Sequence, residues 1–312
     1  MLGKTGLEVS PLAFGGNVFG WTINDKTSFE LLDLWTETGF NFIDTADSYS
    51  NWVPGNKGGE SETIIGNWMN KRGNRDKLVI STKVGSELGP GKKGTSKKYI
   101  MEAVEASLQR LQTDYIDLYQ SHWPDPETPF EETLEAYGQL LQQGKIRAFG
   151  TSNYSAEQLT ASLEAAKQHS LLPYQTLQPE YNLYDRAVFE EALQQVCIDN
   201  DMGVISYFAL ANGFLTGKYR TEEDLANSRR GGSVKKYFNE RGFRIVKALD
   251  AVSAKYHTTP ASVAIAWLLT KPVITAPIAS ATNTGQIKAL VEATELQLDA
   301  GDLDLLTTAS DK

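Results

Sequence analysis

An apolar run ends in a carboxylate and a phenol in Asn41-Phe42-Ile43-Asp44-Thr45-Ala46-Asp47-Ser48-Tyr49. A second apolar run, LVISTK at residues 78–83, ends in Lys83, and a third, YIDLYQSH at residues 115–122, ends in His122. Parallel strands present their carboxyl ends to the same face of a sheet. The three runs therefore predict a polar cluster at one end of a parallel sheet, and a cluster of this composition can move a proton.

Short apolar runs alternate with longer helical patterns along the chain. The apolar runs lie at residues 12–15, around Phe42 and Val79, and at residues 115–121, 145–150, 174–177, 203–207 and 273–277. The helical patterns that follow them lie at residues 28–38, 60–70, 96–111, 130–143, 155–170, 187–200, 243–256 with 260–270, and 286–294. Strands joined by helix-length crossovers must be parallel, and eight such units over roughly 250 residues are typical of a closed barrel.

The predicted fold is therefore of the α/β class, a (β/α)8 TIM barrel formed by a single domain over residues 1–312. No linker rich in Gly, Ser or Pro divides the chain, and its length suits one α/β barrel. An open, doubly wound sheet would normally carry Gly-x-Gly-x-x-Gly after its first strand. The corresponding residues 12–20, LAFGGNVFG, do not match that pattern.

Composition and charge argue against several classes of function. The net charge is -9, and the one basic stretch, at residues 229–236, is modest, so we expect no nucleic-acid partner. The single cysteine, Cys197, forms no internal disulfide, and no secretory signal or run of transmembrane length is evident. We therefore expect a cytoplasmic protein without a membrane partner. The three histidines and Cys197 lack metal-ligand spacing, so no metal site is predicted.

Six segments resemble motifs of the aldo-keto reductase family. They are DTADSY at residues 44–49, STK at 81–83, SLQRLQTDYIDL at 107–118, GTSN at 150–153, QPEYN at 178–182 and LTGKY at 215–219. The combination is highly specific because the motifs occur in the order of the family at the expected strand ends. The likeness extends from Leu2 to the last helix and is greatest to bacterial members with a longer loop after the seventh strand.

The resemblance implies an oxidoreductase that reduces aldehydes or ketones to alcohols, with a catalytic tetrad of Asp44, Tyr49, Lys83 and His122. A reduced nicotinamide gives hydride to the carbonyl carbon, and Tyr49 gives its proton to the oxygen. Because a free tyrosine has a pKa of about 10, we expect the Lys83 ammonium to lower the pKa of Tyr49. Asp44 is expected to hold Lys83 in position, and His122 to donate a hydrogen bond to the carbonyl oxygen. Taken singly, each side chain has a structural alternative, such as a helix cap for Asp44.

The resemblance also implies which residues bind the cofactor. They are Asp44, Ser152, Asn153, Gln178, Tyr207, Leu210, Gly213, Lys218, Ser280, Thr282 and Gln286. The hydroxyl and amide side chains at 152, 153 and 178 suit a carboxamide, and the ring at 207 is expected to stack on the nicotinamide. Backbone amides around 210 and 213, with the lysine at 218, are expected at the pyrophosphate.

A loop at residues 210–242 is expected to cover the pyrophosphate, with Arg229 and Arg230 closing on it. The hydroxyls of Ser280 and Thr282 and the amide of Gln286 match the segment that receives an adenosine 2′-phosphate in related proteins. The cofactor expected from the resemblance is NADPH. NADH stays possible, because a phosphomonoester prefers cationic partners and the matching side chains here are two hydroxyls and an amide.

The substrate pocket is expected to be an apolar cleft walled by Trp21, Trp52 and Trp123. Each tryptophan has the alternative of a core position. Two other functions stay open. One is a regulatory subunit that senses the nicotinamide without appreciable turnover, as in the channel-associated branch of the family, and the other is an NAD(P)-dependent sugar or polyol dehydrogenase. The sequence does not identify the natural substrate, the physiological direction or the oligomeric state.

Overall fold

One parallel sheet of eight strands forms the centre of the computed structural model, which describes residues 1–311. Neighbours in the sheet are neighbours in the chain, and the eighth strand pairs with the first. The strands are β1 (Ala13–Gly15), β2 (Phe42–Asp44), β3 (Val79–Val84), β4 (Ile116–Ser121), β5 (Ile146–Ser152), β6 (Thr176–Gln178), β7 (Gly203–Val204) and β8 (Ile278–Ala279). The barrel closes where Val204 bridges to Ile274 and the Ile278 amide donates to the Ser206 carbonyl at 2.8 Å. The predicted (β/α)8 barrel is confirmed.

Helices lie between the strands and cover the outside of the sheet. They are α1 (Asp25–Glu37), α2 (Glu60–Arg72), α3 (Lys97–Leu111), α4 (Phe130–Gln142), α5 (Ala156–Gln168), α6 (Gln194–Asp199), α7 (Glu222–Ala226), α8 (Gly231–Val234), α9 (Glu240–Lys255), α10 (Pro260–Leu269), α11 (Thr284–Glu295) and α12 (Ala300–Ser310). Side-chain caps fix several helix starts, for example the capping box in which Ser155 and Gln158 satisfy each other's backbone amides before α5. None of the helices within residues 1–311 combines the length and the apolar character that a membrane-spanning segment requires.

Three parts of the fold differ from the sequence prediction. The eighth strand begins at Ile278 and not at residue 273, because the Thr275 and Ala276 amides both donate to the Val204 carbonyl and this bulge interrupts the ladder. The loop at residues 210–242 contains the short helices α7 and α8. A final helix, α12, packs on α9 where no helix was predicted.

Alternate residues of each strand face the barrel interior, and this alternation determines where the polar cluster lies. Phe42 of β2, Val79 of β3 and Leu118 of β4 belong to an apolar cluster inside the barrel, which Leu2 and Leu7 also join. The next inward positions toward the carboxyl ends of β2 and β3 are polar. The lower barrel is therefore a packed core, and the polar face begins one layer above it.

Candidate active site

Asp44, Lys83 and Tyr49 form one connected group at the carboxyl ends of β2 and β3. The Lys83 ammonium donates to Asp44 Oδ2 at 2.6 Å, to the Thr45 carbonyl at 2.7 Å and to the Tyr49 hydroxyl at 3.0 Å. The Tyr49 hydroxyl also lies 3.4 Å from Asp44 Oδ2. Lys83 and Asp44 are fully buried, so this ion pair is shielded from water and its geometry is held by the strands that carry it.

The second oxygen of Asp44 is held by two further side chains. Ser81 Oγ donates to Asp44 Oδ1 at 3.0 Å, and Gln178 Nε2 donates to the same oxygen at 2.9 Å. Gln120 Nε2 in turn donates to Ser81 Oγ at 2.8 Å. Ser81 pairs with Asp44 in the ladder between β2 and β3, which explains why the two side chains meet. The carboxylate therefore has donors on both oxygens and cannot rotate freely.

The environment of the phenol differs from the prediction in one respect. The pKa of Tyr49 is raised above its usual value, because enclosure by protein outweighs the nearby Lys83 ammonium, which lowers it. Lys83 thus lowers the pKa of Tyr49 as expected, but burial has the larger effect and the net shift is upward. Burial alone would lower the pKa of Lys83, but Asp44 and Tyr49 raise it above its usual value. Near neutral pH the group is thus a protonated phenol beside an ammonium.

His122 packs edge-on against the Tyr49 ring. The two ring centroids are 6.0 Å apart, and His122 Nδ1 is 2.9 Å from Ser86 Oγ. Burial and the Lys83 charge hold the pKa of His122 well below its usual value, so the imidazole is neutral at physiological pH. A neutral imidazole bonded to Ser86 through one nitrogen has its other nitrogen available to a ligand.

Ser152, Asn153, Gln178 and Tyr207 form a second network across β5, β6 and β7. Ser152 Oγ donates to the Gln178 carbonyl at 2.7 Å, and Asn153 Nδ2 donates to Ser152 Oγ at 3.1 Å. The Tyr207 hydroxyl donates to Asn153 Oδ1 at 2.7 Å. Asn153 has a φ of 63°, in the left-handed region that asparagine tolerates better than most residues. The aromatic ring and the amide groups are thus held in fixed relative positions.

A cavity of about 760 Å³ lies over the carboxyl ends of the strands and joins these two networks. All eleven residues predicted to bind the cofactor line it, as do Tyr49 and His122. Lys83 does not line it and contacts two residues that do, Tyr49 and Asp44. The cavity therefore brings the predicted proton-transfer and cofactor residues together, although they come from distant parts of the chain.

The part of the cavity next to β8 and the start of α11 is lined by Ser280, Thr282 and Gln286. Gln286 Oε1 accepts from the Thr282 amide at 2.7 Å, and Asn283 Oδ1 caps α11 by accepting from the Gln286 amide at 3.0 Å. Ser280 Oγ donates to Asn17 Oδ1 at 2.6 Å. Asn283 caps only one of the backbone amides at the start of α11. The remaining amides, together with the side-chain nitrogen of Gln286, are suited to an anionic group.

The donor set fits a nicotinamide dinucleotide. Amide and hydroxyl groups at 152, 153 and 178 suit a carboxamide, and the Tyr207 ring offers a flat face. Lys218 lines the cavity beside Gly213 and forms no ion pair among residues 1–311, so its charge is available to a diphosphate. The backbone around Gly213 has left-handed φ angles of 57° at Asn212 and 92° at Gly213, a turn in which successive amides can face an anion.

The three predicted tryptophans occupy different environments. Trp52 and Trp123 line the cavity and are 49% and 50% exposed, and the Trp123 ring stacks on His122 at 5.8 Å. Trp21 does not line the cavity. Its ring packs edge-on against Trp52 at 5.5 Å, and the Arg230 guanidinium lies over it at 5.2 Å. Trp21 therefore supports the wall from behind.

Several side chains at the site were not singled out from the sequence. Ser81 lies two residues before Lys83 on the same face of β3, so the strand period would have found it. Ser86, which bonds to His122, and Asn17, which bonds to Ser280, lie in loops without a local signal. No group of acidic, histidine and cysteine side chains able to hold a metal occurs within the described part of the chain.

The chain is similar to known proteins over most of its length. A family model described as "Aldo/keto reductase family" matches residues 11–311. "Aldo-keto reductase YhdN" of Bacillus subtilis (strain 168) is 36% identical over 313 residues, covering 96% of this chain and 90% of that protein. A "Probable voltage-gated potassium channel subunit beta" of Arabidopsis thaliana is 35% identical, covering 95% and 90%. "Protein tas" of Escherichia coli (strain K12) is 32% identical, covering 94% and 91%.

Proposed function

The chain belongs to the aldo/keto reductase family, and from that premise we propose that it reduces aldehydes or ketones to alcohols with NADPH. The observation that carries the proposal is the contact of the Tyr49 hydroxyl with the buried Lys83 ammonium at 3.0 Å, at the floor of the cavity. A protonated phenol in that position is a proton donor, and an adjacent ammonium stabilises the phenolate that remains after transfer.

Each residue of the tetrad has a separate part in the proposed reaction. A reduced nicotinamide, when bound, supplies the hydride. Tyr49 gives its proton to the carbonyl oxygen, and Lys83 stabilises the resulting negative charge. Asp44, held by Ser81 and Gln178, keeps the ammonium in place.

His122 orients the carbonyl group in this proposal. This role requires the tautomer in which Ser86 Oγ donates to Nδ1 and the neutral imidazole carries its proton on Nε2, from which it donates a hydrogen bond to the carbonyl oxygen. The lowered pKa of His122 supports this role, because a neutral imidazole does not compete with Tyr49 as an acid.

For the cofactor, the residues of this chain would bind as follows. Ser152, Asn153 and Gln178 would hold the carboxamide, and Tyr207 would pack on the ring. Lys218 and the backbone near Leu210 and Gly213 would hold the diphosphate. Ser280, Thr282 and Gln286 would receive the adenosine phosphate, and we propose NADPH over NADH on the basis of the family.

A second candidate is a nicotinamide-binding regulatory subunit with little turnover. It is favoured by the similarity to the Arabidopsis protein whose name describes a potassium channel subunit. That function needs the cavity but not the proton donor. A third candidate, oxidation of a sugar or polyol, uses the same residues in the opposite direction. We also propose that the chain is one domain and acts in the cytoplasm.

A substrate panel tests the proposal. Aldehydes and ketones are offered with NADPH and with NADH, sugars and polyols with the oxidised cofactors, and reduced nicotinamide is followed by absorbance. We expect turnover of carbonyl compounds with NADPH. The Tyr49→Phe variant should lose roughly 10²- to 10⁴-fold in kcat, because it lacks the proton donor, and keep its affinity for NADPH. Tight cofactor binding without turnover on any compound would favour the regulatory subunit, and an undiminished rate in Tyr49→Phe would exclude Tyr49 as the donor.

A further inference from the structure

The imidazole of His122 has one hydrogen-bond partner within residues 1–311, the hydroxyl of Ser86. Ser86 Oγ lies 2.9 Å from His122 Nδ1, and both residues line the cavity. A hydroxyl and a neutral imidazole can form this bond in two ways, because either atom can be the donor. The direction of the bond decides whether Nε2 carries a proton, and Nε2 needs that proton to donate a hydrogen bond to a carbonyl oxygen.

The backbone of His122 is held by contacts that do not involve its ring. Its amide donates to the Val84 carbonyl at 2.8 Å, which continues the ladder between β3 and β4, and its carbonyl accepts from Asn153 Nδ2 at 2.9 Å. The ring stacks on Trp123 with an angle of 14° between the two planes. Stacking restricts the plane of the imidazole but does not distinguish its two nitrogens, so the position of the proton depends on the Ser86 hydroxyl.

The loop that carries Ser86 is fixed at its base. Gly85 has a φ of 113°, a conformation that residues with a side chain rarely adopt, and its carbonyl accepts from the Gly94 amide at 3.0 Å. Asp125, in the loop after β4, accepts from the Thr95 amide at 2.7 Å. The loops after β3 and β4 are therefore joined by a second contact beyond the strands, which keeps the serine hydroxyl close to the imidazole.

The surroundings of the ring favour a bond in which the serine is the donor. The Ser86 hydroxyl forms no other hydrogen bond within residues 1–311, so Nδ1 is the protein acceptor that its proton has there. Within the same residues, Nδ1 contacts neither a carboxylate nor a backbone carbonyl, the groups that commonly hold a proton on it. Burial, with the Lys83 ammonium, holds the pKa of His122 well below its usual value, so the neutral ring has one N–H proton to place.

We propose that Ser86 is a positioning residue that donates to Nδ1 of His122 and so keeps the imidazole proton on Nε2, where it can be donated to the substrate carbonyl. The inference rests on the proposed carbonyl reduction and adds to it the group that selects the tautomer. Ser86 acts through His122 and takes no part in the transfer of the hydride or of the Tyr49 proton. A donor that is oriented before the substrate binds needs no reorganisation when negative charge develops on the oxygen.

Nitrogen NMR of the imidazole tests the inference without relying on activity. The full chain is labelled with nitrogen-15 histidine, saturated with NADPH and measured at about pH 8, above the ordinary pKa of histidine. The chain has three histidines, and the His122→Gln variant identifies the resonances of His122 by their loss. We expect a protonated Nε2 and an unprotonated Nδ1 in the original protein. A proton on Nδ1 would overturn the inference.

Two variants of Ser86 test whether the hydroxyl is the cause. In Ser86→Ala both nitrogen resonances of His122 should move toward each other, because the ring then exchanges between its two tautomers. Ser86→Thr should return them to their original positions, since threonine keeps the hydroxyl. Resonances that stay unchanged in Ser86→Ala would show that another group selects the tautomer.

Steady-state reduction of benzaldehyde with NADPH gives the second readout. Ser86→Ala should lower kcat about five- to tenfold, the size of effect expected for one hydrogen bond, and leave the affinity for NADPH unchanged. Ser86→Thr should recover most of the lost rate. Equal losses of kcat in the two variants would assign the serine to packing and overturn the inference.

The matched control is Glu87→Gln, which changes the exposed neighbour of Ser86 in the same loop. It should leave the His122 resonances in place and kcat within about twofold of the original protein, as expected for an exposed side chain. A control that shifts the resonances as far as Ser86→Ala would show that any disturbance of the loop moves the ring, and would refute a specific role of the hydroxyl.

The two readouts keep this inference separate from the proposed function. If the original protein turns over no carbonyl compound, carbonyl reduction fails, and the spectra of the original protein and of Ser86→Ala still decide whether the serine selects the tautomer. If carbonyl compounds are turned over while Nδ1 of His122 carries the proton, carbonyl reduction stands and the role of Ser86 is refuted.

Discussion

Replacing Lys83 with methionine removes the positive charge from the most buried ion pair of the site and keeps the length of the side chain. The change deletes bonds of 2.6 Å to Asp44, 2.7 Å to the Thr45 carbonyl and 3.0 Å to Tyr49. Asp44 keeps its donors on Oδ1, from Ser81 and Gln178, but Oδ2 keeps only the Tyr49 hydroxyl at 3.4 Å. The variant therefore leaves a fully buried carboxylate that is only partly compensated.

Removing one partner of a buried ion pair costs about 3–5 kcal/mol of the free energy of unfolding. For a chain of this size that corresponds to a fall in Tm of roughly 5–8 °C. Urea unfolding at pH 7, followed by tryptophan fluorescence, measures the free energy of unfolding directly. We also expect a fall in kcat of roughly 10²- to 10³-fold, because the phenolate formed from Tyr49 loses its stabilising charge.

The double variant Asp44→Asn with Lys83→Met separates the charge effect from the loss of packing. It removes both charges and keeps an amide oxygen for Ser81 and Gln178, so it should be more stable than Lys83→Met alone by at least about 1 kcal/mol. A loss below about 1 kcal/mol in Lys83→Met, or a double variant whose loss equals the sum of the two single losses, would show that the uncompensated charge of Asp44 is not the cause of the destabilisation.

Two predictions concern pH. Because the pKa of Tyr49 is raised, kcat/KM for carbonyl reduction should be flat from about pH 7 to pH 9. It should fall only above about pH 10, where the phenol of the folded protein loses its proton. A steady-state profile of kcat/KM with a falling limb centred near pH 7 would contradict this. Asp47 is buried with both carboxylate oxygens unpartnered, and desolvation, with Glu62, raises its pKa well above the usual value. The folded chain then holds this proton more tightly than the unfolded chain, so stability is lost as pH rises from about 4 toward the folded pKa. The stability of Asp47→Asn relative to the original protein should therefore increase with pH, by up to about 1.4 kcal/mol per pH unit. The free energy of unfolding of both proteins is measured at pH 4 and at pH 7. The same difference between the two proteins at both pH values would show that Asp47 does not titrate in this way.

Local sequence patterns were enough to predict the barrel and the position of the polar side chains along its strands. The period of two in a strand places Asp44 one layer above Phe42, and Lys83 two layers above Val79, so the strand ends could be identified without coordinates. The short β8 was placed too early, because a bulge at residues 275 and 276 depends on the partner carbonyl of Val204, which lies in another strand.

The amino-acid sequence was enough to predict the fold, the family and the set of residues at the carboxyl ends of the strands, because these depend on periodicity and on short motifs. The tertiary structure alone decided the direction of the pKa shift of Tyr49, since desolvation depends on every atom packed around the hydroxyl. It also decided that Arg229 anchors the loop at Trp21 while Arg230 covers the ring of the same residue. Such contacts join segments about 200 residues apart, and no local pattern encodes which side chain will meet which across that separation.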